Sequence, residues 1–118
     1  MSRNQWDKAR DAFGVAYEQK PSGEAIAVNY AQSLWQVNQQ RFDKRIRALF
    51  QRVLRHNPSQ PDALAMLAMD AYQSQAYSEA IAYWKRLLVL APMQSEEAQA
   101  IHKAIVKAQQ HQNKQKRM

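Results

Sequence analysis

The chain has 118 residues, with 17 lysines and arginines against 10 aspartates and glutamates, a formal net charge of +7 and no cysteine. The length allows one domain at most. Without cysteine, disulfides and thiolate metal sites are excluded, and the redox compartment stays open. No run of about 18 apolar residues marks a membrane span, and the polar opening MSRNQWDKAR is not a secretory signal peptide. A hydrophobic content of 46% with only 2 glycines and 4 prolines suits a compact helical protein. Alanine, glutamine, leucine and arginine dominate, all good helix formers.

Residues 3–20 read as one helix, with Trp6, Ala9, Phe13 and Ala16 sharing a face. Asn4 is placed to cap it, and Asp7 lies near its positive end. A second helix runs from about Gly23 to Val37 behind a Ser22 cap, with Ala27, Tyr30, Ala31 and Leu34 at 3–4 spacing. The run RFDKRIRALFQRVLR is a third, with Ile46, Phe50 and Val53 inward. Its Arg41, Lys44, Arg45, Arg47, Arg52 and Arg55 read as a solvated face before they read as a docking patch. The stretch PDALAMLAMDAYQSQAYSEAIAYWKRLLVLAP is two further amphipathic helices joined by a short turn. Ser95 caps a last helix, SEEAQAIHKAIVKAQQ, with Glu96 and Glu97 in its first turn and Ala98, Ile101, Ile105 and Ala108 inward. His102 on this helix reads as half-buried packing. From His111 onward the tail HQNKQKRM lacks apolar periodicity and is expected to fray.

The pair of helices from Pro61 to Pro92 sets a register. Counted from Pro61, Leu64, Leu67 and Ala68 fall at positions 4, 7 and 8, Tyr77 at 17, Ala80 at 20, Trp84 at 24, Leu87 at 27 and Pro92 at 32. This is the tetratricopeptide (TPR) pattern, except that position 11 is Ala71 and the ring follows at Tyr72. Small residues at Ala68 and Ala80 let antiparallel helices approach, and Pro92 ends the second helix for want of an N–H. Counting back from Pro58 puts Ile46, Phe50 and Val53 at 20, 24 and 27. Pro21 to Pro58 is 37 residues, against 34 for Pro58 to Pro92, so three extra residues belong near Asn38 to Phe42. Counting back from Pro21 puts Trp6, Ala9, Phe13 and Ala16 at 17, 20, 24 and 27. The chain therefore opens with the second helix of a repeat whose first helix is missing. It is expected to be a piece of a longer protein whose upstream part could carry an anchor or targeting signal. The expected fold is all-α, a TPR solenoid of about two and a half repeats. Residues 1–94 hold the half repeat (3–21) and two repeats (22–58 and 59–92), and residues 95–118 form a capping helix and basic tail.

No nucleophile–base pair, phosphate loop or metal-ligand spacing is legible, and His56, His102 and His111 have no companion carboxylate in register. Asp70 reads as a structural hydrogen-bonding group. The chain is expected not to be an enzyme, and to need no cofactor or metal. A stack of hairpins offers instead a concave face lined by positions 2, 5, 9, 12 and 13 of each first helix. These are Ala25, Val28, Gln32, Trp35 and Gln36, then Asp62, Ala65, Met69, Tyr72 and Gln73. The last helix adds Gln99, Lys103, Val106 and Lys107. Such a lining suits an amphipathic helix or short peptide. Trp35 and Tyr72 fit either an anchor in the groove or the core, and the lysines could meet an acidic group or a C-terminal carboxylate. On the second helices, Phe50 and Trp84 are expected in the core. A generic protein-docking scaffold, with self-association through the exposed half repeat, is the alternative. A basic nucleic-acid binder ranks behind both, since no basic stretch carries interleaved aromatics.

The residues Ala80, Ile81, Tyr83, Trp84, Leu87 and Leu88, followed by Ser95, Glu96, Glu97, Ala98 and Ile101, narrow this further. Together with the long link in the middle repeat, they resemble the C-terminal TPR domain of bacterial c-type cytochrome biogenesis proteins, part of the haem lyase system. The resemblance runs from about Trp6 to Gln110. It implies a domain that faces the periplasm and holds the C-terminal amphipathic helix of apocytochrome c. It also implies that the domain presents this apoprotein to haem lyase subunits, which attach haem to its C-x-x-C-H motif. It implies no haem or metal bound by the TPR part. From the register of the lining positions, the expected peptide site is Val28, Gln32, Trp35, Gln36, Ala65, Met69, Tyr72, Gln73, Lys103 and Lys107, and no nucleic acid is expected as partner.

Overall fold

A computed structural model describes residues 3–20 and 23–116. Among these there are six helices and no strand: α1 (Arg3–Gln19), α2 (Glu24–Val37), α3 (Lys44–His56), α4 (Pro61–Gln73), α5 (Tyr77–Leu90) and α6 (Glu96–Lys116). The expected all-α architecture is observed. Ser22 and Pro21, the proposed cap and closing proline, lie outside the described residues. The chain divides into two compact units, Met1–Pro58 and Ser59–Met118.

In the first unit α2 packs against both α1 and α3. Its core is the face read from the sequence: Ala27, Tyr30 and Ala31 from α2 meet Ile46, Phe50 and Val53 from α3, all buried. Phe50 is fully enclosed, and α3 adds Leu49 and Leu54. Asn4 does not cap α1, because it lies inside that helix. Its neighbour Asp7 pairs with Arg10 at 3.5 Å instead. Gly14 faces α2 closely, since a Cβ there would stand 3.2 Å from the Tyr30 ring.

In the second unit α5 packs against both α4 and α6. Ala63, Leu64, Leu67, Ala68 and Ala71 of α4 are buried with Ala80, Ile81 and Leu87 of α5 and Ile101, Ile105 and Ala108 of α6. Pro61 opens α4, and the Gln60 side chain accepts from Ala63 N–H at 2.7 Å. Ser95 caps α6 as expected, its Oγ accepting from Ala98 N–H at 3.1 Å. Asp70 is a buried polar residue of α4. Trp84 differs from expectation: it is half-buried, whereas its counterpart Phe50 is fully enclosed. The tail also differs, because α6 continues as helix to Lys116.

The two helix–turn–helix links show where the three extra residues went. Each first helix ends with the same pair of backbone bonds and a glutamine in the left-handed region: Gln39 at φ 59°, followed by Gln40 at φ 60°, in the first unit, and Gln75 alone at φ 63° in the second. The next residue's N–H reaches back to the third-last helical carbonyl, Gln40 to Trp35 and Ala76 to Ala71, both at 2.8 Å. In the second unit α5 begins directly after Ala76. In the first, Arg41, Phe42 and Asp43 intervene before α3. The insertion brings its own cap, since the Asp43 carboxylate accepts from Ile46 N–H at 2.8 Å.

Candidate peptide-binding surface

The expected lining residues fall on α2 in the first unit and on α4 and α6 in the second. On α2, Val28 is only 3% exposed, so it belongs to the core and offers nothing to a ligand. Gln32, Trp35 and Gln36 are half-buried, and Ala25 is exposed. The Trp35 ring lies 6.1 Å from Phe42, the aromatic residue of the insertion. Its Nε1–H is enclosed and has no hydrogen-bond partner among the described residues. Gln36 accepts through its side chain from Gln40 at 3.3 Å. Phe42 thus lies against the ring that the register had left between groove and core, and Trp35 is half-buried.

On α4, Ala65, Met69 and Tyr72 are half-buried, while Asp62 and Gln73 are exposed. Tyr72 is the hub of a ring cluster. Tyr77 stands edge-on to it at 5.5 Å, Trp84 lies tilted at 5.7 Å, and His111 of α6 is edge-on at 5.9 Å. His111 also stacks on Tyr77 at 5.3 Å, with planes 13° apart. Edge-to-face and offset rings at these distances match the aromatic quadrupole. This cluster explains why α6 does not fray at His111. Beyond it, Gln112 donates to the Ser78 hydroxyl and Gln115 to the Gln75 carbonyl. On α6, Gln99, Lys103, Val106 and Lys107 are exposed on the side away from Ile101, Ile105 and Ala108.

Sequence reasoning missed His111 because it sought apolar residues alone. The spacing Ile101, Ile105, Ala108, Gln112 does continue the buried stripe, in amide form. It also missed an apolar pocket of about 330 Å³ at the α5–α6 turn, lined by Leu88, Ala91, Met93, Gln94, Ala98, Gln99 and His102. His102 is exposed on its rim, not half-buried in packing. The basic face of α3 is partly structural. Arg45 donates to the Tyr30 hydroxyl, with its guanidinium 5.5 Å from that ring's centroid. Arg52 donates to the Tyr17 hydroxyl at 3.0 Å, and the two tyrosine rings lie 5.5 Å apart. Arg41, Lys44 and Arg55 remain exposed, as a solvated face requires.

These surfaces can hold an apolar or aromatic side chain against Met69 and Tyr72, with amides beside them. Among the described residues, no group of three or more His, Cys, Asp or Glu side chains is placed to hold a metal ion. No helix among them is long and apolar enough to cross a membrane.

Comparison with known proteins bears on this helical scaffold. The profile of the family described as the cytochrome c-type biogenesis protein H TPR domain matches residues 1–98. The chain belongs to that family. Relatives of this TPR domain include the Escherichia coli K12 cytochrome c-type biogenesis protein CcmH, 29% identical over 103 residues. That match covers 87% of this chain and 29% of the relative. The Pseudomonas aeruginosa cytochrome c-type biogenesis protein CycH is 26% identical over 110 residues, covering 93% of this chain and 27% of the relative. The chain therefore spans less than a third of the curated relatives it matches. A crystal structure of a Vibrio parahaemolyticus protein described as YfrE superposes with a TM-score of 0.59 at 24% identity, covering 74% of this chain and 94% of that one. At that identity the likeness concerns the fold alone.

Proposed function

We propose that this TPR domain is a non-catalytic adaptor, or chaperone, of c-type cytochrome maturation. It holds the C-terminal helix of apocytochrome c in the periplasm while haem lyase subunits attach haem. The observation that carries the reading is membership of the biogenesis family across residues 1–98. The half-buried Ala65, Met69 and Tyr72 of α4 add a place for an apolar side chain. Rigid rings and a methionine suit an amphipathic helix, because they bury area at little entropic cost and adapt to varied side chains. The exposed Lys103 and Lys107, one turn apart on α6, would meet acidic groups of the same segment.

The test is a calorimetric titration with a synthetic peptide of an apocytochrome C-terminus. Saturable binding is expected, weakened at least about tenfold, or 1.4 kcal/mol, by Met69→Glu, which sets a charge against an apolar contact. Absence of binding at micromolar peptide, or indifference to both Met69→Glu and Tyr72→Ala in folded variants, rejects the reading.

A further inference from the structure

Helix α3 carries Lys44, Arg45, Arg47, Arg52 and Arg55 and no acidic residue. Counted back from Pro58, these are positions 18, 19, 21, 26 and 29 of a second helix. The fold does not require charge there. In α5 the same positions are Ser78, Glu79, Ile81, Arg86 and Val89, and in α1 they are Asp7, Lys8, Arg10, Val15 and Glu18. Each of those sets balances to zero, whereas the α3 set holds five positive charges.

The pattern is locally unfavourable. The first turn of α3 has no acid beyond the Asp43 cap, and Lys44, Arg45 and Arg47 crowd the positive end of the helix dipole. Lys44 and Arg47, like Arg52 and Arg55, are like-charged pairs three residues apart, which repel. Two of the five have a use inside the unit, since Arg45 and Arg52 donate to the Tyr30 and Tyr17 hydroxyls. Asp11 and Glu18 of α1 line the groove beside Arg45 and offset its charge. Lys44 and Arg55 have no such use. Both are exposed, and among the described residues neither makes an ion pair. Arg41, just ahead of the helix, is exposed as well. Charges kept at a local cost, with no partner inside the fold, point to a partner outside it.

The make-up of this surface selects among anionic partners. At 100° per residue, Lys44, Ala48, Gln51 and Arg55 fall within about 60° of one another, on a straight strip about 17 Å long. All four are exposed. The strip has no aromatic, aliphatic or methionine side chain larger than alanine to anchor a protein partner. The apolar face of α3 is used in the core through Ile46, Leu49, Phe50, Val53 and Leu54, so none of it is left to insert among acyl chains. A straight strip that makes contact by charge alone suits the plane of an anionic bilayer, where each lysine or arginine at the surface strengthens binding about fivefold.

We propose that the outer face of α3 rests on anionic phospholipid headgroups, as a peripheral contact that does not insert. It shares no residue with the surface assigned to peptide binding, so neither reading depends on the other.

Co-sedimentation of the 118-residue chain with vesicles at low salt tests it. Binding is expected to vesicles of phosphatidylglycerol and phosphatidylcholine in equal parts and not to phosphatidylcholine alone, and it should fade as salt rises. Lys44→Gln combined with Arg55→Gln should bind about thirtyfold more weakly, with unchanged helical circular dichroism, because both residues are exposed. Lys114→Gln combined with Lys116→Gln removes the same charge from the end of α6 and should bind like the parent. No binding to the anionic vesicles at millimolar lipid overturns the proposal, as does equal weakening by the two double variants. Equal or tighter binding to polyglutamate or to a random DNA duplex, at matched charge concentration, also overturns it, because a soluble polyanion would then be the better partner.

Discussion

The α2–α3 and α4–α5 hairpins begin from one pattern and finish their first helices differently. Both close α2 or α4 with a left-handed glutamine and the same pair of backbone bonds. The three residues added after that motif in the first hairpin supply a helix cap and a ring, Asp43 and Phe42, and Phe42 shelters Trp35. The second hairpin has no insertion, no side-chain cap on α5, and no such ring. Tyr72 recruits its aromatic neighbours from α5 and from the end of α6 instead. A short insertion and a long terminal helix thus solve the same problem, an aromatic residue left at the end of a first helix. The lesson is that an equivalent repeat position acquires a different exposure from whichever segment can reach it.

The largest effect that separates the two hairpins is at position 24. Phe50→Ala should destabilise its unit by about 3–5 kcal/mol, the range for emptying an enclosed aromatic site. Trp84→Ala, at a half-buried ring, should cost less. Urea unfolding of both variants, followed by circular dichroism, would show the order, and an equal or larger loss for Trp84→Ala would erase the contrast.

A smaller effect concerns the cap. Asp43→Ala leaves Ile46 N–H without its acceptor and should cost about 1 kcal/mol. The α5 start, which has no side-chain cap, has nothing comparable to lose at Ala76. A thermal melt of Asp43→Ala that matches the parent would mean that the insertion serves the Phe42–Trp35 contact alone.

The smallest concerns the ring cluster. His111→Ala should cost roughly 0.5–1.5 kcal/mol, the worth of paired aromatic contacts. Amide hydrogen exchange should rise over the last turns of α6 and not over Ile101 to Ala108. Unchanged protection beyond His111 would show that Gln112 and Gln115 hold the end of the helix by themselves.

Much of this was legible beforehand, for a local reason. Helix ends are written in caps and prolines, and which face turns inward is written in the 3.6-residue recurrence of Leu64, Leu67, Ala68 and Ala80. The distance between Pro58 and Pro92 set against that from Pro21 to Pro58 was enough to count three inserted residues. The candidate site was less legible. A register says which way Val28, Trp35 and Tyr72 point from their own helices, but their exposure depends on what arrives opposite.

The linear chain by itself determined the six helices, the Ser95 cap and most inward faces, because these follow from interactions between residues a few positions apart. Tertiary structure alone decided that Val28 is enclosed, that Trp84 stays half-open, that arginines of α3 reach the tyrosines of α1 and α2, and that His111 docks on Tyr77. Each of those outcomes joins side chains from separate helices. Their meeting depends on how packed helices cross, which no local spacing encodes.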